Sequence, residues 1–213
     1  MFARLTVSVC LLSVGAIAAS SKRAFEGSND IVVYLHHRME LPSIVSGAMW
    51  QETLSLMHLS GYHVRQLEAP HAVVAAFLVV VELEGPCDPE IRLELSTATR
   101  SLASTVIEHG RILPFIHVNC SLLQRFLASA LGSKPDRQFV FGRALGRLLA
   151  HELYHVAGQT TSHDSTGVTE PAVWAQELIS DQFPFGKAAL EKLRAPAPYA
   201  NQDSGSGFES GSR

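Results

Sequence analysis

The chain has 213 residues, 46% of them hydrophobic and 17% charged, with a formal net charge of −3. That length fits one domain of ordinary size, and the low charge with a mean hydropathy of +0.14 excludes a disordered chain. No basic tract stands out, so nucleic acid is not an expected partner.

Arg4 precedes an apolar run from Leu5 to Ile17, and Ala16-Ile17-Ala18 supplies small residues where a signal peptidase cuts. Residues 1–19 therefore read as a secretory leader, too short to span a bilayer as a mature helix. The expectation is a secreted or periplasmic protein, without stable membrane association once the leader is removed. Cys10 leaves with the leader. The remaining pair, Cys87 and Cys120, is expected to form a disulfide in an oxidising compartment.

Ile31 to Leu35 is a short β-branched and aromatic run, and Tyr62 to Leu67 alternates polar and apolar residues. Between them, apolar residues recur at helical spacing from Pro42 to Gly61. The pattern predicts strand, helix, strand with a parallel crossover. Val73 to Leu83 reads as a buried strand closed by Gly85-Pro86. Ile112 to Val118 reads as another, with Pro114 favouring an edge position. The segment from Thr97 to His109 is ambiguous between helix and strand.

From Phe139 to Gly158 the pattern is helical and continuous. Gly142 and Gly146, one turn apart, are expected to let this helix approach the sheet. Leu145, Leu149 and Val156 should face the core, and Arg143 and Arg147 the solvent. A last helical stretch is expected from near Pro171, including Trp174 to Asp181. Residues 195–213 are rich in Pro, Gly and Ser and read as a disordered tail. The fold class is α/β, a mixed sheet packed on a long helix, with the domain spanning 30–194.

Within that helix stands His151-Glu152-Leu153-Tyr154-His155, an HExxH motif. Histidines at i and i+4 share one helical face, so both imidazoles can bind a single ion. Glu152 is then placed to deprotonate a metal-bound water. Gly158 follows at a plausible helix end, and His163 arrives eight residues after His155 on a polar turn. Tyr154, on the side away from the imidazoles, is assigned to packing.

Residues 139–181 resemble the zincin metallopeptidases. AHELYHVAGQTTSHDSTGV is similar to the metzincin branch, whose HExxHxxGxxH supplies three histidine ligands. It departs from that pattern twice. Thr161 occupies the third-histidine position, with His163 two residues later, and all four methionines precede position 58, so no methionine turn follows. The longer spacing is similar to small secreted bacterial zincin-like proteins. A rival pattern lies in Trp174 to Asp181, which resembles the second metal helix of the gluzincins. There Glu177 would be the third ligand and Asp181 would orient a histidine.

The resemblance implies one zinc ion and a peptide or protein substrate on a monomeric chain. His151, His155 and either His163 or Glu177 would hold the metal, and Glu152 would be the catalytic base. The alternative is a secreted, non-catalytic zincin-like binding module whose zinc is structural or vestigial. In its closed form, His151, His155, His163 and Glu177 together would leave no position for water.

Overall fold

The computed structural model describes residues 29–67, 77–91 and 101–195. The expected leader lies outside these residues, as does the expected tail apart from Ala195. In chain order the strands are β1 (Asp30–His37), β2 (His63–Leu67), β3 (Phe77–Glu84), β4 (Ala103–Glu108) and β5 (Arg111–Asn119). The helices are α1 (Ser43–Leu59), α2 (Cys120–Leu131), α3 (Arg137–Gly158), α4 (Ala175–Leu178) and α5 (Lys187–Arg194). The fold is α/β, with one mixed sheet in the order β2-β1-β3-β5-β4.

The β1-α1-β2 unit is the expected parallel crossover, with Asp30 opposite His63. β3 pairs in parallel with both β1 and β5, and β4 runs antiparallel along β5 at the edge. The ambiguous segment before His109 is thus a strand where it is described. Alternate residues of the sheet (Ile31, Val33, Val79, Val81, Ile116 and Val118) are buried under the helices.

Pro114 does not mark an edge, because β5 lies between β3 and β4. Its missing N–H is tolerated for a local reason. The β3 ladder begins only at Phe115, and the β4 ladder is irregular between Thr105 and Ile107, opposite the ring.

Gly142 and Gly146 pack α3 against α1 and not against the sheet. A Cβ at Gly142 would lie 2.5 Å from Val45 O, and one at Gly146 would lie 2.5 Å from Met49 O. Arg147, expected in solvent, is 1% exposed. Its Nε donates to Glu52 Oε1 of α1 at 2.6 Å, and its Nη1 donates to Leu178 O at 2.9 Å. The helical period puts Arg147 on the face that α1 and α4 cover, and Glu52 supplies the counter-charge that makes burial possible.

The helix expected from Pro171 to Asp181 is one turn, Ala175–Leu178. Arginines of α3 capture the carbonyls that would have continued it: Arg147 takes Leu178 O, and Arg143 takes Ile179 O and Ser180 O. The disulfide between Cys87 and Cys120 joins the loop after β3 to the start of α2, with Cα atoms 4.9 Å apart. No helix among the described residues is long and apolar enough to cross a membrane.

Candidate metal centre

The second half of α3 is buried on nearly every side, because it runs beneath the sheet with α1, α2 and α5 around it. His151 and His155 project from one face, and their Nε2 atoms approach to 3.1 Å. The chain leaves the helix through Gln159, whose φ of 43° is left-handed, so the reversal falls one residue after the expected Gly158. His163 returns on that loop, its ring centroid 5.2 Å from that of His151 and 4.8 Å from that of His155. One ligand atom from each of the three histidines lies within 4.8 Å of the others, and the group can hold a metal ion.

The outer nitrogens decide the tautomers. Nδ1 of His151 lies 2.7 Å from Val168 O, and Nδ1 of His155 lies 2.7 Å from Thr160 O. A carbonyl oxygen only accepts, so both Nδ1 atoms donate and both Nε2 atoms carry lone pairs. Two lone pairs facing each other at 3.1 Å can receive a cation between them. A tetrahedral ion with bonds of about 2.0–2.1 Å sets its nitrogen ligands about 3.3 Å apart, close to that spacing. Burial lowers the pKa of both imidazoles, which favours the neutral form a ligand needs. The mutual repulsion of the histidines acts in the same direction.

Glu152 follows His151 and turns toward β4. Its Oε2 accepts from Thr105 Oγ1 at 2.6 Å, and the same hydroxyl lies 3.3 Å from Glu152 O. Burial raises its pKa, opposed by the Thr105 hydrogen bond and the nearby His155. Thr105 lies in the segment that sequence alone left ambiguous, and no motif singles it out. Nor could residue types reveal Thr160 and Val168, which act through backbone oxygens.

The loop that carries His163 is pinned along its length. Tyr154 Oη donates to Ser162 O at 3.1 Å, so the packing residue also holds the loop. Val168 N donates to Pro184 O at 3.0 Å. Gly167, at φ +75°, has no room for a side chain, since a Cβ there would lie 2.0 Å from Pro184 O.

Glu177 and Asp181 are not among the clustered residues. Glu177 Oε2 accepts from Trp174 N at 2.7 Å and so caps its own helical turn. The Asp181 side chain is solvent-exposed and sits 3.5 Å from Arg143 Nη1, with no histidine bonded to it. Among the described residues the helix that carries Glu177 is a single turn, and Glu177 does not lie with the three histidines.

Two cavities open on the cluster. One of 290 Å³ is lined by Ser104, Thr105, His155, Thr161 and His163, and one of 610 Å³ by Leu148, Val168 and Val173. His151 and Glu152 line both, and all three histidines line the smaller one. No protein-family model matches this chain, and neither does any curated protein.

Proposed function

We propose that this chain is an exported, zinc-dependent hydrolase of the zincin type that cleaves peptide bonds. One observation carries the reading: two lone-pair nitrogens at 3.1 Å, a third histidine beside them and a buried glutamate next in sequence, all lining the smaller cavity. The donor set fits zinc, since three neutral imidazoles are a familiar borderline-soft set for an ion that keeps a fourth position open. His151, His155 and His163 hold the ion.

When bound, zinc polarises a carbonyl and acidifies water. The remaining work belongs to the chain. The attacking water gives its proton to Glu152, its oxygen bonds to the carbonyl carbon, and the C–N bond breaks as Glu152 returns the proton to the leaving amine. Thr105 donates to Oε2, which orients the carboxylate and leaves Oε1 clear of that bond for the proton. Burial raises the proton affinity of Glu152, while the Thr105 hydrogen bond and His155 oppose that rise. The Cys87–Cys120 disulfide supports an exported setting.

The test is zinc analysis of the purified protein together with hydrolysis of a quenched peptide library. Glu152→Gln should retain one zinc per chain and lose activity by a factor of about 10² or more. Full turnover by that variant with zinc in place would refute the mechanism.

A further inference from the structure

The larger cavity holds a group that the hydrolytic chemistry does not use. Leu122, Arg125 and Phe126 share one face of α2 and line its wall, opposite Leu148, Val173 and Phe183. The arginines of the neighbouring helix all have carboxylate partners: Arg137 with Glu90, Arg143 with Asp181 and Arg147 with Glu52. None of the ion pairs among the described residues includes Arg125, although its side chain is half-buried. Glu170 also lines the cavity, but its Oε1 accepts from Gly167 N at 2.7 Å and is turned into its own loop.

A cavity of 610 Å³ has room for a whole amino-acid side chain and reaches His151 and Glu152, where the reacting bond would lie. Most of its lining is apolar, with Arg125, Arg147, Glu170, His151 and Glu152 among it, which suits an aliphatic or aromatic stem with a polar tip. A guanidinium with no ion-pair partner among the described residues, in the wall of that cavity, favours a carboxylate at the tip, because a charge-assisted fork matches its planar donors. We infer that this cavity is a subsite for a carboxylate-bearing substrate residue, held by Arg125. The carboxylate comes from an acidic side chain or from the substrate's own C-terminus. This inference rests on the hydrolase reading and narrows its substrate class.

The test uses zinc-loaded full-length protein and peptides that differ at one residue flanking the scissile bond: Glu, Gln, Leu or Lys. Each is made with a free and an amidated C-terminus. The parent protein should prefer the carboxylate peptide over its amide counterpart by about tenfold or more in kcat/KM, the size of one charge-assisted hydrogen bond. A preference for Glu over Gln assigns the carboxylate to the side chain, whereas loss on amidation assigns it to the terminus. Arg125→Gln should abolish the preference, and Arg125→Glu should shift it to Lys. The same order should appear in peptide Kd for the zinc-loaded Glu152→Gln protein, which reads the subsite without turnover. Equal binding of the Glu and Gln peptides and of the free and amidated peptides, or a preference that survives Arg125→Gln, overturns the inference. Carboxylate-selective binding without hydrolysis by the parent protein would uphold the subsite and remove the hydrolase reading.

Discussion

Replacing Gly146 by alanine isolates the contact that seats the metal-site helix. In an open helix interior this change stabilises by about 1 kcal/mol, because alanine surrenders less backbone freedom on folding. At Gly146 the new Cβ would lie 2.5 Å from Met49 O and 3.0 Å from Glu52 Cβ. Met49 O is main chain inside α1 and cannot swing aside, so the two helices must separate. Overpacking of this kind costs about 2–3 kcal/mol, and the propensity gain offsets part of it, leaving a net loss of about 1–2 kcal/mol. Gly47 supplies the control. It lies in α1, faces solvent and has nothing within 4 Å of a built Cβ, so Gly47→Ala should stabilise by about 0.5–1 kcal/mol. Urea unfolding of the disulfide-intact protein measures both, provided the slopes match that of the parent. If Gly146→Ala proves as stable as the parent while Gly47→Ala behaves as expected, α1 and α3 are not held at the distance argued here.

The third ligand is tested by competition with a chelator at fixed pH: His163→Ala should weaken zinc binding about tenfold or more, and Glu177→Ala should leave it near the parent value. The reverse order would restore the gluzincin-like assignment. Cys87 and Cys120 should resist alkylation in the unreduced protein. Their joint replacement by serine should cost about 4 kcal/mol on the chain-entropy account, given a separation of 33 residues. Two reactive thiols, or unchanged stability in the double variant, would count against the bridge. Glu52→Gln should destabilise by about 3 kcal/mol in thermal or urea unfolding, because it leaves the Arg147 guanidinium buried without its counter-charge. A loss below about 1 kcal/mol would mean that water reaches that guanidinium.

The parallel β1-α1-β2 unit and the long α3 were legible because their hydrophobic periods are long and regular. The motif histidines were legible for a related reason: a spacing of four on a continuous helix fixes their shared face. What escaped was set by tertiary partners. Arg147 looked like a surface residue until Glu52, 95 positions away, provided its counter-charge. Gly142 and Gly146 announced a close approach, but its partner is α1 and not the expected sheet. Pro114 pointed to an edge because a proline reports a missing donor and not which neighbour would have needed it. The ExxxD spacing of Glu177 and Asp181 presupposed a long helix, and arginines far away in sequence end that helix after one turn.

The centre depends on one loop in two ways at once. The segment from Thr160 to Val168 delivers His163, and its ends supply the carbonyls that orient His155 and His151. One of the three histidines and the supports of the other two therefore move together or not at all. The loop is tied to α3 through Tyr154 and to the 184–186 segment through Val168 and Gly167. Asp164 closes the same circuit, its Oδ2 accepting from Ala189 N of α5 at 3.4 Å. This explains how a third histidine two residues later than the metzincin spacing can still meet the first two. The extra residues lengthen the loop, and its anchoring at both ends brings His163 back. Glu152 is held from the opposite side, by Thr105 on the edge strand. Glu152, His151 and His155 share α3 but take their outer hydrogen bonds from different elements, so on the proposed mechanism substitutions in the loop should disturb metal affinity before they disturb the proton transfer.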